Sequence, residues 1–235
     1  MGNYNAYQIA FNKASFENIN QNFANVYYND VTTPFFENKV MVDLVTEGEH
    51  RLNNYFAVLS HKFFQETVNK ELCPIQQEEI EMALGDSDVL SFFGFKRDNF
   101  EMFRHAIQVH KGIEQCYLEL FKLLNLPFKP LLKMRFVVYR NAFFARSEVY
   151  ERYVNEMLRP CIELMSDRLN DKLWQSIWKD SGYPYTENRF RKHPQLRDKF
   201  VHDMGVPYYP FHTFILERMF SYWLNINPDI TCKHI

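Results

Sequence analysis

Positively charged side chains follow each of four predicted β-strands, and each stands beside an amide, hydroxyl or imidazole group. Lys and Arg give charge-assisted hydrogen bonds to phosphate and carboxylate oxygens, so this combination suits an anionic ligand. In open α/β sheets, ligands bind at the carboxyl ends of the strands. The substrate-binding residues predicted at these ends are Asn12, Lys13, Ser60, His61, Lys62, Lys96, Arg97, Arg140 and Asn141.

These strand-end residues have two interpretations. Polar residues follow any single strand simply because strands end at the surface. If the four strand ends meet in one crevice, however, their Lys and Arg side chains would concentrate positive charge in a chain whose formal net charge is -2. Such a local field suits phosphate or a similar anion. The recurrence over four strands keeps the shared crevice open as a hypothesis.

The four strands that must position these residues are predicted at residues 7–11, 55–60, 88–95 and 135–145. The last run is long enough for a bend or for two short strands, and Arg140 and Asn141 stand at a strand end only if it breaks near its middle. Near-continuous apolar residues, rather than alternating ones, indicate strands that are covered on both faces. The pattern therefore predicts an α/β fold with a Rossmann-like, mainly parallel sheet that helices cover on both faces.

Amphipathic helices are predicted at 34–45, 74–84, 112–125, 148–165 and 211–225, which makes the C-terminal half helix-rich. Ser147 is a predicted N-cap, and Pro160 should kink or divide the helix that follows it. In the last helix, His212, Leu216 and Trp223 share one face and are expected in the core.

Composition predicts a single folded domain over residues 1–235. Apolar residues make up 46% of the chain and aromatic residues 17%, far from the signature of disorder. Seven glycines and no Gly/Ser-rich or Pro-rich linker leave no place to divide the chain. A net charge of -2 gives no general case for nucleic acid as a partner.

Localisation is predicted to be cytoplasmic. The four cysteines lie tens of residues apart without a C-x-x-C pair, which indicates free thiols in a reducing compartment. No apolar run reaches the ~20 residues of a membrane span, and the N-terminal residues lack the features of a signal peptide. Peripheral contact with a membrane stays open.

Other candidate motifs favour structural roles. The Asp-Ser-Asp sequence at 86–88 precedes its strand, so a turn and strand-start role is favoured over metal binding. His105 and His110 do not share a helix face, and no third metal ligand is evident. The basic segment 188–200 could bind an acidic polymer, a membrane or nucleic acid, but a solvated loop at the rim of the site is favoured. Nucleotide-loop and hydrolase motifs are absent from the sequence.

Glu217 and Arg218 are adjacent on the last predicted helix, where neighbouring side chains point in different directions. Arg218 could bind a carboxylate or phosphate bidentately, and Glu217 could hold a sugar hydroxyl. A salt bridge to another helix is the alternative for either residue.

Five segments together resemble a family of known proteins. YQIAFN, YFAVLSHKF, SDVLSFF, VVYRNAFFARSEVYERYV and FILERMFSYWL, in this order and spacing, resemble a group of bacterial proteins found with surface-polysaccharide glycosyltransferases. They are similar, more distantly, to capsular-polysaccharide transferase-like domains of the nucleotide-sugar-binding GT-A type. The resemblance extends over about residues 7–224.

The resemblance implies transfer of a sugar from a nucleoside-diphosphate sugar to a glycan acceptor in surface-polysaccharide assembly. Lys62 matches a basic position after the second strand, Asn141 a polar position in the fourth, and Glu217 with Arg218 the pair before the C-terminal aromatic run. Glu217 is on this basis a candidate catalytic residue, and Arg218 a candidate substrate-binding residue.

The chain departs from the GT-A pattern because no carboxylate pair follows a strand. A divalent cofactor such as Mn²⁺ or Mg²⁺ therefore stays undecided, with Asp98 as the candidate catalytic base or single metal ligand. Transfer could instead be metal-independent, with Lys62, Lys96 and Arg97 neutralising the diphosphate leaving group. A third alternative is a non-catalytic binding or partner subunit of a polysaccharide biosynthesis system.

Overall fold

The computed structural model describes most of the chain, with gaps. Of the predicted substrate-binding residues, Asn12, His61 and Lys62 lie outside the described residues, and so does most of the basic segment 188–200. Asp98 is described only by its backbone. The described residues are 4–10, 13–17, 19, 21, 23–29, 35–60, 63, 67–68, 71–72, 77–92, 94–182, 191, 194, 197–198, 201 and 206–235.

A six-stranded, mainly parallel sheet forms the centre of the fold. The strands are β1 (Tyr4–Ala10), β2 (Asn25–Tyr28), β3 (Tyr55–Ser60), β4 (Thr67–Val68), β5 (Glu71–Leu72), β6 (Val89–Ser91), β7 (Gly94–Phe100), β8 (Met134–Val138), β9 (Phe143–Arg146) and β10 (Cys232–His234). Six of these strands form the central sheet, in the order β10-β6-β9-β3-β1-β2, while β4 pairs with β5 and β7 with β8. Adjacent strands within this sheet are parallel, except that β9 runs antiparallel to both β3 and β6. The predicted α/β class with a mainly parallel sheet is confirmed.

Helices surround this sheet and become frequent after residue 100. They are α1 (Lys13–Glu17), α2 (Phe36–Glu47), α3 (Gln77–Ala83), α4 (Met102–Val109), α5 (Ile113–Leu123), α6 (Lys129–Leu132), α7 (Ser147–Tyr153), α8 (Arg159–Ser166), α9 (Asp171–Ile177) and α10 (Phe211–Ile226). None of the helices in the described part of the chain combines the length and apolarity that crossing a membrane requires.

Successive residues of the central strands pack into two separate hydrophobic cores, one on each face of the sheet. In β3, Phe56 and Val58 belong to the larger core, which includes the buried faces of α2, α5 and α10. Ala57 and Leu59 point the other way into a smaller core that includes Ile80 of α3. Because both faces are covered, these strands carry the near-continuous apolar runs seen in the sequence.

The run predicted as one strand at 88–95 is divided between two sheets, so that prediction is wrong in its extent. β6 pairs within the central sheet, whereas β7 leaves it and pairs antiparallel with β8 in a two-stranded ribbon. The run at 135–145 also divides, into β8 and β9, as the sequence allowed. The turn between β8 and β9 returns the chain from the ribbon to the central sheet.

The helix containing Pro160 departs from α-helical geometry just before the proline. A π-helical segment, Val154–Leu158, separates α7 from α8, and Pro160 lies in the first turn of α8. Proline lacks the N–H that an α-helical bond would need, and a π segment absorbs the resulting irregularity. Ser147 is not the cap that was predicted, because it is the first helical residue and its hydroxyl donates to the Asn53 carbonyl.

Candidate functional site

The antiparallel direction of β9 brings Arg140 and Asn141 to the carboxyl edge of the sheet. Phe143, the first residue of β9, pairs with Ser91, the last residue of β6. The Phe92 N–H donates to the Ala142 carbonyl at 3.1 Å, which fixes the turn beside the end of β6. The two predicted residues just before β9 therefore lie at the edge where ligands bind in open α/β sheets.

Arg140 and Asn141 both have left-handed backbone conformations, with φ of 60° and 50°. Residues other than glycine rarely adopt this region, and asparagine tolerates it better than arginine. Each such residue costs about 1–3 kcal/mol and tends to persist at sites where the surrounding structure holds it. The turn is held by the Arg140 N–H, which donates to Glu217 Oε1 at 3.1 Å.

The Asn141 side chain is 97% buried and faces the start of α2. Its Nδ2 lies 3.3 Å from Asn38 Oδ1 and 3.4 Å from Glu37 Oε1, both in the first turn of that helix. Its Oδ1 has no donor among the described residues. Buried polar atoms are nearly always hydrogen-bonded, so this acceptor marks a place where the fold leaves a polar group unsatisfied.

Arg218 lies behind this turn and is 4% exposed. Its Nη1 donates to the Phe214 carbonyl at 2.6 Å and lies 3.3 Å from Glu217 Oε2. The expectation that Glu217 and Arg218 point apart, and the alternative of a salt bridge to another helix, are therefore wrong. Side chains on a helix tilt toward its N-terminus, so the long guanidinium folds back over the preceding turn and meets the carboxylate there.

Neutral aromatic and imidazole groups surround Arg218. Burial, followed by the positive charge of Arg218, lowers the pKa of His105 and lowers that of His110 to about 4. Burial also raises the pKa of Tyr139. Both imidazoles are therefore uncharged at neutral pH and add no positive charge to that of the Arg218 guanidinium.

Three side chains of α10 hydrogen-bond the edge of β8 that β7 leaves unpaired and the turn that follows β8. Glu217 accepts from the Arg140 N–H, and Ser221 Oγ accepts from the Val138 N–H at 2.8 Å and donates to the Val138 carbonyl at 2.9 Å. Asn225 Nδ2 donates to the Phe136 carbonyl at 2.7 Å. Four helical residues rise about 6 Å and two strand residues about 6.6 Å, so the spacings match. We call this set the α10 ladder.

Two other predicted residues, Lys13 and Ser60, lie at the carboxyl ends of the parallel strands β1 and β3, the same edge of the sheet as this turn. Lys13 begins α1 and is exposed, with Glu17 at 4.0 Å as its ion-pair partner. Ser60 ends β3, where its carbonyl accepts a hydrogen bond from Gln8 Nε2 at 3.1 Å. Whether Lys13 and Ser60 bind a ligand stays a prediction.

Lys96 and Arg97 lie within β7 rather than after β6, and the structure does not bring them together. Neighbouring residues of a strand point to opposite faces. Lys96 lies near His234, whose pKa is lowered by burial and then by that positive charge. Arg97 instead lines a groove between β7 and α4. Of the five Lys and Arg side chains predicted to meet in one crevice, Arg140 lies close to Asn141, Glu217 and Arg218, but Lys96 and Arg97 lie in the ribbon. The predicted meeting of all five is therefore not observed.

Several residues near this site went unrecognised in the sequence. Glu37 and Asn38 lie in a helix that was correctly predicted, but only its apolar face was considered. α4 was not predicted, although Glu101, Arg104, His105 and Gln108 have the i, i+3, i+4, i+7 spacing of one helix face. This polar stripe is the signal that could have revealed the helix.

The Asp-Ser-Asp sequence stabilises the amino end of the sheet, as the sequence favoured. Asp88 Oδ2 accepts hydrogen bonds from the N–H and hydroxyl of Thr231, and its Oδ1 lies 3.1 Å from Arg146 Nε. Asp86 pairs with Lys233 at 2.8 Å. Among the described residues, no three His, Cys, Asp or Glu side chains come together as metal ligands.

The fold, but not the sequence, is similar to that of a known protein. No protein-family model and no curated protein matches the sequence. The apo structure of the bifunctional glycosyltransferase WbbM superposes with a TM-score of 0.51 at 14% sequence identity. The match covers 99% of this chain and 44% of WbbM, so the chain spans less than half the length of that protein. The described fold is thus shared with part of a bifunctional glycosyltransferase.

Proposed function

We propose that the chain is a glycosyltransferase that moves a sugar from a nucleoside-diphosphate sugar to a glycan acceptor. The observation that carries the proposal is the fold similarity to WbbM over 99% of this chain. The cluster at Arg140, Asn141 and Arg218 supports it, because cationic and amide groups at the carboxyl edge suit a diphosphate. Surface-polysaccharide assembly in the cytoplasm is part of the same proposal.

In this proposal, Arg140 and Arg218 stabilise the negative charge that develops on the diphosphate leaving group. Guanidinium groups fixed in position before the reaction need no reorganisation as that charge develops. Asn141 would contribute its unsatisfied Oδ1 as an acceptor for a ligand hydroxyl or N–H group. Lys62 and His61 follow β3 in the sequence and are proposed as further donors at this edge.

Glu217 is proposed to position other groups rather than to transfer a proton. One of its oxygens accepts the Arg140 N–H and the other lies against Arg218. With both oxygens engaged by these donors, the carboxylate holds the turn and the Arg218 guanidinium in place. The base that removes the proton of the acceptor hydroxyl is proposed to be Asp98, in the ribbon strand β7.

A binding or partner subunit without catalysis is the second candidate. The engagement of both Glu217 oxygens by donors favours this candidate, because the carboxylate then has a structural role. This candidate predicts nucleotide-sugar binding without hydrolysis or transfer. The proposed transferase predicts binding and turnover.

The deciding experiment combines a thermal-shift panel of nucleotide sugars, with and without Mn²⁺, and an assay of hydrolysis and transfer. A ligand that binds only the folded state raises the melting temperature. We expect a shift with at least one donor, loss of that shift in Arg140→Gly, and loss of turnover but not binding in Asp98→Asn. The control Arg168→Ala removes an exposed guanidinium from a turn outside the site and should behave like the natural protein.

Two results would contradict the proposal in different ways. Binding without turnover in the natural protein would leave the second candidate. No thermal shift with any nucleotide sugar at millimolar concentration would overturn both.

A further inference from the structure

A groove of about 350 Å³ lies between the ribbon strand β7 and helix α4. This volume is at the lower end of the range for small-molecule sites, about 300–1000 Å³. The groove is distinct from the turn at Arg140, but His105 connects the two regions because the charge of Arg218 acts on its imidazole. Its lining residues are Arg97, Asn99, Phe100, Glu101, Arg104, His105 and Gln108.

An irregularity in β7 shapes one wall of the groove. Lys96 pairs with Phe136 and Phe100 with Met134, so three residues of β7 stand against one residue of β8. Within this bulge Asn99 adopts a left-handed conformation, with φ of 59°. Consecutive residues of a regular strand point to opposite faces, yet Asn99 and Phe100 both line the groove. Bulges of this kind re-aim side chains and are frequent next to functional sites.

Helix α4 supplies the opposite wall with a continuous polar face. Glu101, Arg104, His105 and Gln108 follow one another at helical spacing, so their side chains are neighbours. Arg104 Nη1 lies 3.2 Å from Glu101 Oε2. The helix therefore presents an ion pair, an imidazole and an amide to the same groove.

The groove carries an excess of positive charge. Arg97 has no carboxylate partner among the described residues, whereas Arg104 shares its charge with Glu101. His105 is neutral at pH 7 because burial lowers its pKa. An exposed guanidinium without a carboxylate can form paired hydrogen bonds with a carboxylate or phosphate group.

The other lining groups suit a sugar ring. Asn99 and Gln108 offer amide donors and acceptors, which can hydrogen-bond hydroxyl groups. The half-buried ring of Phe100 offers an apolar surface at the ribbon wall of the groove. Ligand sites commonly combine one such apolar surface with a few placed polar groups.

We propose that this groove is the acceptor subsite and binds a sugar that carries an oxyanion, either the carboxylate of a uronic acid or a phosphate ester. The assignment as acceptor subsite rests on the proposed transferase function. Arg97 binds the oxyanion, the two amides bind ring hydroxyls, and the Glu101 carboxylate limits the affinity by competing for Arg104. The nucleoside-diphosphate donor binds separately, at the Arg140 turn.

The test is a titration of the full chain with glucuronate, glucose 6-phosphate and uncharged glucose, followed by the backbone amide signals of Asn99 and Gln108. We expect at least one of the two anions to bind about tenfold more tightly than glucose, since a charge-assisted hydrogen bond contributes that much. Preference between the anions identifies the source of the oxyanion. Arg97→Ala should remove the tighter binding of the anion relative to glucose, and Arg168→Ala should leave it unchanged.

Glu101→Gln is the most informative variant, because it removes the carboxylate that competes for Arg104 and should therefore strengthen binding of the anion. Releasing Arg104 from its carboxylate is expected to raise the affinity for the anion two- to threefold or more. Equal binding of glucose and glucuronate, an unchanged affinity in Arg97→Ala, or a weaker one in Glu101→Gln would overturn the proposal.

The two proposals fail separately. Nucleotide-sugar binding without any response to the two anions would overturn the groove assignment alone. Anion binding in the groove without nucleotide-sugar binding would support an oxyanion-sugar site and remove its description as an acceptor subsite together with the proposed transferase.

Discussion

Glu217 Oε1 accepts the backbone N–H of Arg140 at 3.1 Å, while the other oxygen of the same carboxylate lies 3.3 Å from the buried Arg218. One side chain thus stabilises a strained turn and compensates a buried charge at the same time.

Glu217→Gln should lower the free energy of unfolding by about 1–3 kcal/mol. The amide oxygen can still accept from the Arg140 N–H, but Arg218 is left buried without a carboxylate. Urea denaturation of this variant, of Arg218→Met and of the double variant measures the coupling. We expect the double variant to lose less than the sum of the two single losses. Strict additivity would show that the two side chains do not stabilise each other.

Ser221→Ala should cost about 1–3 kcal/mol, an unusually large effect for the loss of one hydroxyl. The Oγ atom satisfies both the N–H and the carbonyl of the buried Val138, and alanine leaves both without a partner. Ser166→Ala is the matched control, since that hydroxyl bonds only the Ile162 carbonyl of its own helix. Equal losses in the two variants would contradict the importance of the α10 ladder.

Arg140→Gly should be more stable than Arg140→Ala, since both variants lose the same side-chain contacts and only alanine keeps a Cβ in the left-handed region. Glycine adopts the left-handed region freely, so the gain at φ of 60° outweighs the greater entropy of the unfolded chain. Lys122→Gly, in the ordinary helical backbone of α5, is the control and should lose about 1 kcal/mol. Thermal and urea unfolding give these values, and an Arg140→Gly variant less stable than Arg140→Ala would show that the turn is not strained.

Acid should destabilise the protein between about pH 6.5 and pH 3 through His212. This side chain is fully buried between the rings of Phe35 and Trp178, and burial lowers its pKa to about 3. In the unfolded chain His212 binds a proton near pH 6.5, whereas in the folded chain it stays neutral until about pH 3. The contribution of neutral His212 to the free energy of unfolding is therefore complete above pH 6.5 and is lost as the pH falls toward 3. The slope is about 1.4 kcal/mol per pH unit for each such histidine.

His212→Phe keeps an aromatic ring at this position. It should remove the contribution of one proton to the pH dependence of the free energy of unfolding. Stability measured in urea between pH 7 and pH 5 avoids most of the titration of the carboxylates. His110, with a pKa lowered to about 4, should still contribute in the variant. An unchanged slope would mean that His212 is not responsible.

The sheet could be predicted from the sequence because its physical signal is local. Strands covered on both faces must be apolar throughout, and β3 was predicted with its observed limits. The helix from residue 211 was likewise found from the spacing of His212, Leu216 and Trp223, all of which are buried. Apolar periodicity reports burial directly, which explains this success.

The site was harder to predict because it depends on where the chain turns. Nothing in the run 88–95 shows that β6 and β7 pair with different strands, so Lys96 and Arg97 were assigned to the wrong position along the sheet. Polar residues on an apolar helix carry a signal that was overlooked. Glu217, Ser221 and Asn225 are spaced four residues apart and so form a polar stripe on one face of an apolar helix. A helix that packed only against apolar side chains would not need such a stripe, so the stripe indicates hydrogen bonding to a backbone.

The α10 ladder also affects how the molecule behaves toward other chains. A short strand with a row of unpaired N–H and carbonyl groups is a template on which a strand of another molecule can add. A helix, rather than a loop, covers this side of β8. Movement of α10 away from β8 would therefore also expose the apolar face of that helix. Variants that weaken the ladder are therefore expected to aggregate by intermolecular β pairing before they lose their central sheet.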